Sequence, residues 1–559
     1  MIPRVKQQNA SEGSFRLPLV FPRTEDGSAA VFMLSHLLPA VAVEAGEGAT
    51  VTLASLAATE RGEYALAVTP TAITLSYGDF EGLRNAVSTL ASLYAEGGFA
   101  AVEIRDLPSY PFRSVMLDLA RGYVELPVLR EHIVRMAFLK YNYLHLHLMD
   151  NQSYVMESAV VPNPGQHRQY TRGELRELWE FCRAFAIEVI PEIEFPTHAT
   201  NLLRAIPELS CDVIDMEKAR AIASVPRVSH ALLDEERGIS QWAICLGQER
   251  TYEIYDRIIA EVAEVFPGEY IHVGGDEIAY PHMGAVPHWD NCRACRARMA
   301  EKGLSDTLAL YHDGFCRLQP LVARHGKRMI KWNEQEELAS PPPIPREIVI
   351  AYWKPSVCDW KTGTDPALVR AELKMLREAG FDVFNAHYYY GYHDENQYMT
   401  IEKINAWTPD DAAIGLMGGE TCAWELGNPR YAYYAHRLPF GIALFADRLW
   451  NRDSVPYDDG YRADLFAAAL GQNGLGALPL APLPAVLCPV PHSKGECILP
   501  LPEHAPAALA ALEGVRAEEV FGRLFLAAYR DYLSSLIDTF PKTETAKGTA
   551  GFGEGVIAG

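Results

Sequence analysis

The stretch Tyr270-Ile-His-Val-Gly-Gly-Asp-Glu277 decides how this chain is read. It follows a segment of helical period and opens on apolar residues, so Tyr270–Val273 predicts a short buried strand. Two glycines then turn the chain, and the adjacent carboxylates of Asp276 and Glu277 follow, with His272 just upstream. Like charges side by side repel, and burial disfavours ionisation. An acid pair at the mouth of a core strand therefore points to chemistry. Taken alone, the same residues also fit a turn with two solvated acids after a Gly-Gly bend.

Outward from this strand, the chain from Phe112 to Trp450 alternates between apolar strand candidates and helix-period segments. The strands are expected at Ser114–Leu117, Tyr143–Leu148, Glu188–Ile193, Tyr270–Val273, Met329–Trp332, Ile348–Trp353, Asp382–Asn385 and Ile414–Met417. Helices are expected over Arg172–Phe185, with Leu175, Leu178, Trp179 and Cys182 on one face, and over Tyr252–Phe266. A third runs from Pro366, capped by Asp365, to Gly380. Strands alternating with helices predict an α/β fold, a (β/α)8 TIM barrel. The rival, a doubly wound open sheet, lacks a GxGxxG or Walker-type loop. Before the barrel, residues 1–105 read as a small α+β domain of short strands and one helix, Phe80–Tyr94. Asp106-Leu-Pro-Ser-Tyr-Pro marks the boundary, and residues 106–450 form the barrel. Residues 451–559 read as a helical C-terminal extension, with a proline-rich segment, helix over Pro506–Ile537 and a disordered Gly/Thr/Lys-rich tail.

Of the 559 residues, 72 are acidic and 50 basic, giving a net charge of −22. Nucleic acid or an anionic membrane would need a basic face, so neither is an expected partner. The amino-terminal MIPRVKQQNASEGSF has no apolar core of a signal segment, and the ten cysteines are scattered. Free thiols in a reducing, cytoplasmic setting are expected. Composition leaves the oligomeric state open, a homodimer included.

The polar residues recur at one place in each β/α unit. Asp118 and Arg121 follow the first strand, Asp150 the second, Glu194 and His198 the third, and Asp276 and Glu277 the fourth. Trp332 and Trp353 end the fifth and sixth, the tyrosines 388–390 follow the seventh, and Glu420, Trp424 and Glu425 the eighth. In a barrel all these ends open on one face, where barrel enzymes keep their active sites. Tryptophans stack on sugar rings, while Asp, Glu and Arg bind paired hydroxyls. Carboxylates supply acid–base catalysis of glycosidic cleavage. Each part has a plainer reading: Trp332 and Trp353 as barrel core, Arg121 as a partner of Asp118 or Asp150. His145 and His147 alternate on their strand, so at least one is expected against the barrel wall. Neighbouring acids point to opposite sides of a strand. The usual glycosidase pair flanks one bond across roughly 5 to 9 Å. Asp276 and Glu277 fit better with separate tasks, one as proton donor and one holding another group of the substrate.

At these residues the chain resembles the family 20 glycoside hydrolases, the β-N-acetylhexosaminidases. The resemblance runs from Gly62-Glu-Tyr-Ala-Leu, through Asp106-Leu-Pro-Ser-Tyr-Pro-Phe-Arg, Met116-Leu-Asp-Leu-Ala-Arg121 and Met136-Ala-Phe-Leu-Lys-Tyr-Asn142, to His-Val-Gly-Gly-Asp-Glu277 and Gly418-Gly-Glu-Thr-Cys-Ala-Trp424. It implies removal of terminal β-linked GlcNAc or GalNAc from a glycan or glycoconjugate, with retention, by substrate-assisted catalysis and without a cofactor. Glu277 would protonate the leaving oxygen and Asp276 would orient the acetamido group whose carbonyl attacks. Tyr388 would bond the acetamido oxygen, and Arg121 the outer hydroxyls. Asp150 and His198 would support Glu277, while Trp332, Trp353 and Trp424 line the pocket.

The chain departs from the family where the outer hydroxyls are read. Tyr390 stands where an aspartate is common, and Trp424 is followed directly by Glu425. A specialist for GalNAc or an O6-substituted sugar therefore stays among the readings. So do a metal-dependent barrel hydrolase built on His198, Asp150, His272 and Glu277, and a non-catalytic glycan binder. His288, Cys292 and Cys295 have metal-ligand spacing, but four ligands are normally needed and there is no second CxxC. Ordinary thiols and no metal are expected there, with His282 as the candidate to complete a structural site.

Overall fold

The computed structural model describes residues 1–453 except 17, 58, 96, 163–167, 224–232, 235, 279–286, 359–362, 393–400, 409–413 and 425–437, with scattered positions over 458–468 and position 510. The amino-terminal part carries β1 (Gln7–Phe15), β2 (Leu19–Phe21), β3 (Val43–Ala45), β4 (Val51–Ser55), β5 (Tyr64–Val68), β6 (Ile73–Tyr77), β7 (Tyr94–Ala95) and β8 (Gly98–Asp106). One sheet runs β1-β8-β5-β6-β4 with β7 on β8, and β2 pairs with β3. There are two helices here, not the one expected. The additional one, Glu25–Leu37, has ordinary helix signals: Thr24 caps it, accepting from Gly27 N at 3.0 Å, and Ala30, Met33, Leu34 and Leu37 bury one face.

The second helix, Phe80–Ser92, is buried nearly all round because it lies between this sheet and the barrel. Its polar residues are paired across that junction. Ser88 Oγ donates to Ala137 O at 2.9 Å, and Asn142 Nδ2 donates to both oxygens of Glu81 at 3.3 and 3.2 Å.

Eight parallel strands close the barrel: β9 (Phe112–Asp118), β10 (Tyr143–His147), β11 (Glu188–Glu192), β15 (Tyr270–His272), β16 (Arg328–Trp332), β17 (Val349–Tyr352), β18 (Val383–Asn385) and β19 (Gly418–Ala423), which returns to β9. Between β11 and β15 an excursion adds β12 (Ser210–Asp212), β13 (Leu233–Asp234) and β14 (Ile239–Ile244) as a small antiparallel sheet. Seven strands fall where the apolar pattern put them. The eighth does not: it is Gly418-Gly-Glu-Thr-Cys-Ala423, just after the apolar Ile414–Met417. Close approach explains this. A Cβ on Gly418 would come within 1.9 Å of Phe112 O, so glycine rather than a β-branched residue opens the strand.

The helix Arg172–Ala184 shows the local logic of the outer ring. Thr171 and Glu174 form a capping box, and Leu175, Leu178, Trp179 and Cys182 bury the inner stripe. After β19, the helix Leu438–Asn451 joins the amino-terminal segment to the start of the barrel. Arg4 binds Asp447 through its backbone N at 2.8 Å and its guanidinium at 2.7 Å, and Trp450 Nε1 donates to Asp106 at 2.9 Å. The proline-rich Leu478–Pro506 segment, the expected helix over Pro506–Ile537 and the tail from Pro541 lie outside the described residues, position 510 apart.

Candidate active site

β15 delivers the acid pair through a backbone that ordinary residues resist. Gly274 and Gly275 have φ of 65° and 104°, and Glu277 itself sits left-handed at 49°. A Cβ on Gly274 would meet Glu194 Oε2 at 1.9 Å, so glycine lets that buried acid close beneath the turn. Three contacts hold the conformation. Tyr311 OH donates to Gly275 O and Thr197 Oγ1 to Asp276 O, each at 2.5 Å, and Glu277 N donates to the Glu334 carboxylate. A left-handed non-glycine residue costs on the order of 1–3 kcal/mol, and such strain clusters at functional sites. His198, also left-handed at 51°, is the second such residue here.

Five of the expected residues, Arg121, Asp150, His198, Asp276 and Glu277, form one chain of charge. Arg121 reaches Asp118 at 2.9 Å and Asp150 at 2.7 Å. Asp150 contacts His147 Nε2 at 3.0 Å and His198 Nδ1 at 3.3 Å. His198 Nε2 then lies 3.3 Å from Glu277 and 3.7 Å from Asp276. Despite burial, the charges of Asp150 and Asp276 hold His198 well above its ordinary range. Asp150 is held well below its own, because Arg121 and His198 outweigh burial.

The two acids titrate apart. Burial, abetted by the charge of Glu277 and only partly offset by His198, pushes Asp276 up to about 6. Burial also acts on Glu277, but the hydrogen bond and charge of His198 overcome it and leave the group below its usual value. Asp276 is therefore the more readily protonated of the pair in the free site, the reverse of the order expected of a leaving-group acid. The cause is geometric: His198 makes its closer contact with Glu277. Glu334, buried beside both, is raised well above the carboxylate range.

Aromatic rings wall the site. Trp332 and Trp353 are buried, with Nε1 groups donating to Glu192 at 2.7 Å and to Asn333 O at 2.8 Å. Trp424 lies 6.1 Å from Trp332 and under the Arg121 guanidinium at 5.2 Å. Tyr388 is fully buried and its described ring contacts are with His387 and Tyr389. The tyrosine against the tryptophans is Tyr392, stacked on Trp353 at 6.1 Å and edge-on to Trp424 at 5.7 Å. Glu425 lies outside the described residues. Asp276 Oδ1, His198 Nε2 and Trp424 Nε1 are among the polar atoms of the site buried without a hydrogen-bond partner. Such atoms are what a ligand satisfies.

Several expectations need correcting. His145 and His147 are two residues apart, so they share a face, and both point inward. His145 sits 3.2 Å from Glu192 and from Glu420. Glu420 belongs to β19 itself and accepts from Ser114 Oγ at 2.6 Å inside the barrel. His272, a member of the metal-hydrolase set, pairs with Glu192 at 2.8 Å and stacks on His145 at 4.7 Å. Glu192 escaped notice although it joins all three histidines and Trp332; only strand parity (i and i+2 inward) could have flagged it. Trp242, 5.2 Å from His198, comes from the excursion and carried no sequence signal. The expectation of unassociated thiols also changes: Cys292 and Cys295 meet Cys211 and Cys245, while His282 lies outside the described residues.

A family model described as the catalytic domain of glycosyl hydrolase family 20 matches residues 110–425, over half of the chain. A β-hexosaminidase of Porphyromonas gingivalis is 31% identical over 246 residues, 42% of this chain and 29% of that protein. One of Akkermansia muciniphila is 29% identical over 298 residues, 49% of this chain and 56% of its own length. The chain thus spans under a third and little over half of these two relatives. Among solved structures, the exo β-N-acetylglucosaminidase of Vibrio harveyi in complex with N-acetylglucosamine superposes with a TM-score of 0.68 at 21% identity, over 85% of this chain and 78% of that one. At that identity the likeness speaks for the fold.

Proposed function

The chain belongs to glycosyl hydrolase family 20, and from that premise we propose that it is an exo-acting β-N-acetylhexosaminidase working by substrate-assisted catalysis. The observation that carries this reading is the divergence of the acid pair. Asp276 keeps a buried acceptor, Oδ1, without a partner, while Glu277 is bound to His198 and more open to the site. An acetamido N–H is a donor suited to that acceptor, and hydrogen bonding to the charged form favours ionisation. Ionised Asp276 then repels charge on Glu277, so the proton of the pair passes to Glu277 as the sugar binds.

Protonated Glu277 gives its proton to the glycosidic oxygen as the bond from that oxygen to the anomeric carbon breaks. The acetamido carbonyl oxygen forms the new bond to that carbon, giving a cyclic oxazolinium ion whose charge Asp276 balances. Water then attacks the same carbon, loses a proton to Glu277, and the acetamido group is restored, with net retention. One carboxylate and the substrate's own nucleophile thereby replace the two carboxylates that flank the bond in most retaining glycosidases. Arg121, held by Asp118 and Asp150, presents donors to the outer hydroxyls. Tyr392 and the tryptophans line the space for the acetamido methyl.

The test combines chromogenic β-GlcNAc, β-GalNAc and 6-sulfated GlcNAc substrates with a thiazoline that mimics the cyclised intermediate. Hydrolysis with tight thiazoline inhibition is expected. Hydrolysis unaffected by thiazoline would reject the acetamido nucleophile, and the substrate series assigns the sugar. Glu277→Gln should abolish turnover of substrates with poor leaving groups.

A further inference from the structure

Away from the acid pair, four of the ten cysteines meet at one point although they come from three elements. Cys211 lies on β12, Cys245 directly follows β14, and Cys292 and Cys295 open the helix Arg293–Lys302. All four are buried. Their sulfurs lie within 4.8 Å of one another, with Sγ–Sγ separations of 3.9 Å for Cys211–Cys295, 3.7 Å for Cys245–Cys292 and 3.6 Å for Cys245–Cys295. A disulfide needs about 2.05 Å, so none of these pairs is bonded. Zinc–thiolate bonds of about 2.3 Å at tetrahedral angles set sulfurs about 3.8 Å apart. The observed separations bracket that edge.

The backbone around the sulfurs is built for the same purpose. Gly247 follows Cys245 by two residues, and a Cβ there would come within 2.2 Å of the Ala294 carbonyl carbon and 2.4 Å of Cys295 N. Glycine thus lets the β14 exit lie directly on the first turn of the CxxC helix. Val213 forms an isolated antiparallel β-bridge with Cys292, and Trp289 Nε1 donates to Ile244 O at 2.9 Å. The helix amino terminus beneath Cys292 and Cys295 favours thiolate over thiol. Buried cysteines often serve as small apolar residues. Four with converging sulfurs, from segments over eighty residues apart, are poorly explained that way.

We propose that Cys211, Cys245, Cys292 and Cys295 bind one structural zinc ion that clamps the excursion after β11 to the segment after β15. On binding, the thiols still protonated release their protons to solvent and four Zn–S bonds form, with no change of oxidation state. The first clamped segment also carries Trp242, whose ring lies 5.2 Å from that of His198.

Elemental analysis of the full chain, purified without chelator from zinc-supplemented culture, should give one zinc per chain. Exchange for cobalt should give thiolate-to-cobalt charge transfer and the intense visible bands of a tetrahedral site. Cys295→Ser should lose the metal and lower Tm, whereas Cys316→Ser, at an exposed thiol, should keep both. If Cys295→Ser fails to fold, the zinc content and cobalt spectrum of the unaltered chain still decide. Absence of stoichiometric zinc together with no cobalt uptake would overturn the proposal, as would disulfides among the four cysteines by mass spectrometry. Stoichiometric iron would overturn the assignment to zinc.

Discussion

Asp276 and Glu277 are chain neighbours, yet one is an almost enclosed acid and the other a partner of His198. Because burial raises Asp276 to about 6, the proton of the pair is present below that pH and lost above it. The proposed reaction needs one proton in the pair, so kcat/KM for a poor-leaving-group substrate should fall as pH rises through about 6. In Asp276→Asn that inflection should vanish, while kcat drops ~100- to 1,000-fold through loss of charge opposite the oxazolinium ion. A pH–rate profile of both proteins measures this; an unchanged inflection in the variant would assign the titration elsewhere. Adjacency alone led to the expectation of separate tasks for the two acids, and the structure gives them different surroundings. Their protonation was not legible, because it depends on His198, distant in sequence. Nor was the place of the Tyr392 ring against Trp353 and Trp424, since a run of tyrosines carries no mark of which ring turns to the tryptophans.

At the scale of elements, glycines decide where strands end and begin. Gly274→Ala would place a methyl at φ 65° and within 1.9 Å of the buried Glu194 carboxylate. The left-handed backbone alone costs about 1–2 kcal/mol, and shifting Glu194 adds to it. Urea unfolding should show a loss of ~2 kcal/mol or more, with kcat reduced because the acids move with the turn. A variant as stable and active as the parent would mean the turn is not constrained as described. The same physics hid the eighth strand. Apolar periodicity finds strands that bury side chains, whereas Gly418 and Gly419 let β19 approach neighbouring backbone, Gly418 at Phe112 O and Gly419 at Asn385 O. The excursion holding Trp242, Cys211 and Cys245 was illegible for another reason: its strands are two to six residues long and, among the described residues, form a small sheet of their own.

Across the whole molecule, the amino-terminal layer is joined to the barrel by a buried charge cluster. Glu81, on the helix Phe80–Ser92, bonds the guanidinium of Arg113 on β9 and that of Arg61 at 2.8 Å. Burial opposes its ionisation, but Arg113, Arg84 and Arg61 outweigh it and hold the group at about 2. The ordinary value is 4.5, so the folded state binds this proton more weakly than the unfolded chain. Its stabilisation is complete above about pH 4.5 and is lost as pH falls toward 2, a shift equivalent to about 3 kcal/mol. Glu81→Gln leaves Arg84 and Arg113 buried without their counter-charge, and removing one partner of such a cluster costs about 3–5 kcal/mol. Thermal unfolding of parent and variant at about pH 7 and about pH 3 checks both statements. The Tm gap should be large at neutral pH and smaller at about pH 3, because there the unfolded chain takes up the Glu81 proton while the folded state, holding the group at about 2, does not. A gap that stays constant with pH would mean the loss comes from packing rather than from the carboxylate's charge.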